Sequence, residues 1–195
     1  TLNTAATQLR KKDFYAVDAV ADCVAGALLR GARGNSGVIL SLLFRGISRR
    51  LKGMETVGAK EFAAAMEDGV DAAYKAVMKP AEGTILTVAR MTSAAAVEYA
   101  KKGSDIEEML ETALRIGEEA LENTVNLNPV LRKAGVIDAG GKGPICAARS
   151  RLPGPPLRLE LSPMRTEHLT FSAPRRSPTP STRCSSSANT SPTSI

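Results

Sequence analysis

The chain has 195 residues, enough for one domain of ordinary size. Its net charge of +6 is unevenly spread: residues 1–143 carry 19 Lys+Arg against 18 Asp+Glu, and residues 144–195 carry 7 Arg against 2 Glu. The basic balance therefore belongs to the tail and gives no ground for a nucleic-acid reading of the remainder.

Residues 1–12 are polar with little pattern, and the chain opens on Thr1, not a methionine, as a fragment would. Asp13 is placed to cap a helix from Phe14 to about Arg30, with Phe14, Val17, Val20, Val24 and Leu28 on one face. The stretch Gly31-Ala32-Arg33-Gly34-Asn35-Ser36-Gly37 then bends the chain, because glycine tolerates backbone angles that a Cβ forbids. Asn35 and Ser36 are good N-cap types, so the next helix is expected from about Ser36 to Leu51, with Gly53 just past its end. Arg45, Arg49 and Arg50 fall late in that helix, where cations suit its dipole.

Residues 59–79 are alanine-rich and favour a helix with Phe62, Met66, Val70, Ala73 and Val77 as its buried stripe, stopped by Pro80. Thr84 is placed to cap a further helix running to about Lys102. Ser104-Asp105-Ile106-Glu107 has the form of a capping box. The helix behind it aligns Ile106, Met109, Leu110, Ala113, Leu114, Gly117, Ala120 and Leu121 at helical spacing. Asn128-Pro129 gives an N-cap and a first-turn proline for a short helix closed by Gly135. A second glycine corner follows at Val136-Ile137-Asp138-Ala139-Gly140-Gly141-Lys142-Gly143. No alternating run is long enough for a sheet, so residues 1–143 read as an all-α antiparallel helical bundle.

After Gly143 the composition changes. Nine of the eleven prolines lie there and every basic residue is arginine, so residues 144–195 are expected to be a Pro/Ser/Arg-rich tail without a helical period. It reads as a natural disordered tail or as the product of a shifted reading frame, and the abrupt switch inside a glycine motif favours the second. Cys23, Cys146 and Cys184 form neither a CxxC pair nor a metal-ligand spacing, which fits a reduced, cytoplasmic setting. No apolar run approaches the ~20 residues of a membrane span, and no signal peptide is visible.

The first glycine corner has a chemical reading beyond a helix joint. A helix N-terminus presents unpaired N–H groups and partial positive charge, which suit a phosphate oxygen. Gly31 to Ser41, read Gly-Ala-Arg-Gly-Asn-Ser-Gly-Val-Ile-Leu-Ser, resembles the phosphate-side motif of the DhaL-type domain, the nucleotide-binding domain of dihydroxyacetone kinases. Lys79-Pro80-Ala81-Glu82-Gly83-Thr84-Ile85-Leu86-Thr87-Val88-Ala89-Arg90 and Val136 to Gly143 resemble that domain as it occurs in the A subunit of bacterial fatty acid kinase.

The resemblance, over about residues 13–143, implies a barrel-like helical bundle with ATP or ADP at one end. It implies transfer of the γ-phosphoryl group to a fatty acid carboxylate held by a separate fatty-acid-carrying B subunit. By position, Asn35, Ser36 and Gly37 would meet the β/γ-phosphates. Gly83 and Thr84 would lie near the nucleotide, Ile85 and Leu86 would shape the adenine pocket, and Asp138 and Gly140 would close another side. The resemblance also allows a homodimer in the full-length protein.

The family holds Mg2+ with an aspartate-rich motif that belongs upstream of Thr1, and nothing in the chain replaces it. No metal ligand and no catalytic residue is therefore assigned, His168 included, and the chain as given is expected to be inactive. Two other readings stand beside this one. The first is a dihydroxyacetone kinase L subunit, which would need a dihydroxyacetone-binding K subunit as partner. The second is a non-catalytic helical scaffold whose glycine corners only join helices.

Overall fold

The computed structural model describes residues 1–11 and 13–152; the expectations for the tail beyond Leu152, His168 and Cys184 among them, lie outside the described residues. All the regular structure described is helical: α1 (Leu2–Leu9), α2 (Val17–Arg30), α3 (Gly34–Arg50), α4 (Ala59–Ala76), α5 (Ile85–Ala100), α6 (Ile106–Glu122), α7 (Thr124–Leu127), α8 (Pro129–Ala134) and α9 (Ala139–Arg149). Short joints keep successive long helices side by side, as an antiparallel bundle requires. The last helix, α9, returns to lie against α3, α5 and α6.

The core divides into three clusters. Leu28, Leu40, Leu43, Val70 and Leu86 join α2 to α5. Ala59, Ala63, Ala96, Met109 and Ala113 join α4, α5 and α6. Val88, Leu114, Leu121 and Ile145 seat α9. Leu28, Met109 and Leu121 are fully buried, each side chain contributing about 1.5–3 kcal/mol of transfer free energy. The stripe read in α6 is the buried one: Met109, Ala113, Leu114, Gly117, Ala120 and Leu121 all face inward. Gly117 lets α5 approach, since a Cβ there would lie 2.4 Å from Thr92 Oγ1. Gly46 does the same for α3 against α4, where a Cβ would lie 2.6 Å from the Gly69 Cα. Between α3, α4, α5, α6 and α9 runs an apolar groove of about 270 Å³, lined among others by Leu43, Met66, Val88, Leu114 and Ile145. No helix of the described residues is long and apolar enough to cross a membrane.

Several boundaries differ from expectation, each for a physical reason. Residues 2–9 form a helix: Leu2 packs on the first cluster and Ala5 is buried, a weak signal because alanine carries little hydropathy contrast. Asp13 does not cap α2. The first α2 amides are taken by distant backbone instead, Val17 N–H donating to Glu55 O at 3.0 Å and Asp18 N–H to Met54 O at 3.1 Å. The α4 helix ends at Ala76, where Val77 turns extended and packs on the first cluster, before Pro80 acts. Asp105, not Ser104, caps α6, its Oδ1 accepting from Glu107 N–H at 2.7 Å and Glu108 N–H at 3.2 Å.

The expectation that helical order ends at Gly143 is corrected. The α9 helix runs through Pro144 to Arg149, because Ile145 is buried and Arg149 is clamped. Arg149 Nε and Nη2 donate to the two carboxylate oxygens of Glu118 at 2.7 and 2.8 Å. Both side chains are largely shielded from solvent, and charged pairs bonded in this forked way contribute about 1.5–3 kcal/mol.

Candidate functional site

The α3 N-terminus begins earlier than the residue types imply. Arg33 is the N-cap, extended at φ −135°, and Gly34 at φ +65° is the first helical residue. Asn35 and Ser36 therefore sit inside the first turn, exposed, and cap nothing. No side chain caps α3 and no acid lies in its first turn. Behind the bend, Thr1 Oγ1 accepts from Arg33 N–H at 3.3 Å, and a Cβ on the buried Gly37 would lie 2.7 Å from the same oxygen. The bend is thus backed by the start of α1 and open on the side of Asn35 and Ser36.

The second glycine corner meets the first here. A Cβ on Gly140 would lie 2.4 Å from Ser36 Oγ and 3.2 Å from Asp138 Oδ2, so Ser36 packs directly on Gly140 and only glycine lets the two corners meet this closely. Asp138 is the N-cap of α9, its Oδ2 accepting from Gly141 N–H at 2.7 Å. Its own N–H donates to Thr124 Oγ1 at 3.0 Å. Thr124 is fully buried, and its hydroxyl donates to Leu121 O.

The third part of the site hangs on the same residue. Gly83, buried at φ +72°, packs so tightly that a Cβ would lie 2.9 Å from Thr124 O and 2.8 Å from Asn128 N. Its N–H donates to Thr87 Oγ1 at 2.9 Å. Thr84 caps α5, its Oγ1 donating to Ala81 O at 2.8 Å and accepting from Leu86 N–H at 3.4 Å. Ser36, Asp138 and Gly140 therefore share one corner, and Thr124 ties Asp138 to the Gly83 turn.

The chain matches the DAK2 domain model over residues 1–149. The chain belongs to the DAK2 domain family. Protein YloV of Bacillus subtilis is 45% identical over 146 residues, 75% of this chain and 26% of that protein. A Staphylococcus saprophyticus protein is 58% identical over 116 residues, 60% of this chain and 21% of that protein. One from Staphylococcus aureus strain USA300 is 51% identical over 119 residues, 61% of this chain and 22% of that protein. The matched stretch thus spans about a quarter of the length of these relatives. The DAK2 family is kinase-related, so the chain is by family a kinase-like nucleotide-binding domain.

Against that family background, Ile85 and Leu86 are core residues. They are 5% and 2% exposed, and both belong to the first core cluster. Thr124, Glu82 and Thr87 were not singled out in the sequence, although Glu82 and Thr87 fall inside the Lys79–Arg90 stretch. The Thr87 hydroxyl holds the Glu82 carboxyl below its ordinary value against the desolvation that raises it, and Arg90 and Tyr74 add to the lowering. Magnesium, which the DAK2 resemblance implies, does not fit the described residues. Among them no three Asp, Glu, His or Cys side chains come together to hold an ion, and Asp138 already serves as a helix cap.

Proposed function

We propose that the chain is the nucleotide-holding part of an ATP-dependent phosphotransferase, and that the acceptor in the whole protein is a fatty acid carboxylate presented by a separate fatty-acid-carrying subunit. The observation that carries the nucleotide part is the exposed, uncapped first turn of α3, whose Ser36 packs directly on Gly140 of the second glycine corner. Amides at such a turn, with partial positive charge behind them, favour a phosphate oxygen. Asn35 and Ser36 side chains add donors there, Gly37 lets the helix start close to Thr1, and Gly140 lets Ser36 sit against the second corner. The Gly83–Thr84 turn and Asp138 frame the adjoining side. The acyl acceptor rests on the resemblance of the Gly83-Thr84-Ile85-Leu86-Thr87 wording to fatty acid kinase.

ATP would supply the phosphoryl group; what these residues do is hold and orient its phosphate end. Phosphoryl transfer leans on metal neutralising charge between the β- and γ-oxygens. The described residues hold no such ligand set, so the chain alone is expected to bind nucleotide without consuming it. The test is calorimetric titration of the chain with magnesium-free ADP. Replacing Asn35 and Ser36 together by alanine should weaken binding about ten- to hundredfold, the worth of one bond to a charged group at about 1.5–3 kcal/mol. Unchanged affinity in that double variant removes the nucleotide from this corner and leaves a helical scaffold. In the same preparation, ATP consumption on adding magnesium would overturn the expectation of inactivity.

A further inference from the structure

We infer that Glu82, Thr87, Arg90 and Tyr74 are a positioning network that sets the Gly83 turn for nucleotide, an inference that rests on the nucleotide reading above. Thr87, Arg90 and Tyr74 each donate to the Glu82 carboxylate. Thr87 Oγ1 donates to Glu82 Oε2 at 2.8 Å, and Arg90 Nη2 donates to the same oxygen at 2.9 Å. Tyr74 OH donates to Glu82 Oε1 at 3.4 Å and itself accepts from Arg90 Nε at 3.2 Å. A threonine hydroxyl has one proton and two lone pairs. Thr87 spends the proton on Glu82, which leaves its oxygen aimed back to accept the Gly83 N–H at 2.9 Å.

The consequence is directional. The carboxylate fixes the rotor of a hydroxyl that is 2% exposed, and that hydroxyl fixes the amide of a buried residue at φ +72°. Gly83 in turn packs on Thr124 O, and Thr124 Oγ1 receives the Asp138 N–H. Side chains on α4 and α5 thereby set the spacing between the Gly83 turn and the Asp138–Gly140 corner. None of the four reaches the corner itself, so they act through the turn and are positioning residues, not catalytic ones. A polar chain in which each member is satisfied also holds a single geometry more firmly than separate pairs would.

The experiment compares the full chain with Thr87→Val, Thr87→Ser and Glu82→Gln. Magnesium-free ADP affinity is read by calorimetry and amide hydrogen exchange at Gly83 and Asp138 by NMR. Thr87→Val should weaken ADP about tenfold, the worth of one lost hydrogen bond, and speed exchange at both amides. Thr87→Ser, which keeps the hydroxyl, should restore both readouts. Glu82→Gln lies at the half-exposed end of the network, folds whatever the fate of Thr87→Val, and should shift both readouts in the same direction by a smaller factor. Normal ADP binding by the unaltered chain with unchanged affinity and exchange in Thr87→Val and Glu82→Gln overturns the positioning role and leaves the nucleotide reading standing. Absence of ADP binding in the unaltered chain overturns both.

Discussion

The two glycine corners look alike in sequence and end differently in structure. Each joins a helix start to small residues, and each offers a polar residue of N-cap type. At the second corner Asp138 uses its own carboxylate on Gly141 N–H, so the α9 terminus is satisfied by the chain. At the first, Asn35 and Ser36 lie two and three residues past the N-cap position, too far into α3 to cap it, and Arg33 brings no side-chain bond. A capped terminus supports the fold. An uncapped one, exposed and free of acid in its first turn, leaves its amides to solvent or, on the function proposed above, to a phosphate. Having Ser36 beside Gly140 puts the two kinds of terminus face to face.

The largest effect expected from breaking this arrangement comes at Gly140. Valine there would place its Cβ 2.4 Å from Ser36 Oγ, where the alanine atom alone already forces Ser36 aside, and its two methyl groups would push the α3 first turn off the second corner. ADP affinity, measured by calorimetry, should fall by at least about a hundredfold, or roughly 2.7 kcal/mol. The α9 core contact of Ile145, with Val88, Leu114 and Leu121, is separate from this junction, so thermal unfolding should move far less than affinity. Retained affinity in Gly140→Val would mean that nothing binds between the corners.

A smaller effect, of the opposite kind, is expected at Asp138. Loss of a helix N-cap costs about 1 kcal/mol. Asp138→Ala should therefore lower stability in urea by about that amount, because Gly141 N–H loses its acceptor. The contrast is with Asn35→Ala and Ser36→Ala, which remove no cap and should leave stability nearly unchanged. If the Asn35 and Ser36 variants destabilise as much as Asp138→Ala, the two corners are both structural and the distinction fails.

What was legible in the sequence depended on how local the cause was. The α6 stripe, the Thr84 cap and the Asn128-Pro129 to Gly135 helix are decided by residues within one turn of each other, and they stand as read. The Gly135 φ of +65° is the left-handed close that its position called for. The start of α2 was hidden because its cap is the backbone of Glu55 and Met54, far along the chain. Thr124 was hidden for the same reason: a threonine between Asn123 and Val125 carries no signal until the fold brings Asp138 to it. The continuation of α9 was obscured by the composition change at Pro144, whose missing N–H costs a helix bond to Gly140 but does not outweigh burial of Ile145 and the Arg149–Glu118 clamp. At the first corner the residue types were right for a helix start and the register was not, because Gly34 at positive φ begins the helix before Asn35 is reached.

The smallest and sharpest expectation follows from that register. An acid in the first turn of a helix stabilises it by about 0.3–1 kcal/mol through the helix dipole. The α3 first turn has none, although Asp or Glu would strengthen the fold there. Asn35→Asp should therefore raise stability by about 0.5 kcal/mol and, at the same time, weaken magnesium-free ADP by charge repulsion, since the new carboxylate competes with phosphate for the same amides. Stability and affinity moving in opposite directions from one added charge is the signature of a terminus kept open for an anion. A gain in stability with unchanged ADP affinity would show that the α3 terminus is an ordinary helix start, no different in use from the one that Asp138 caps.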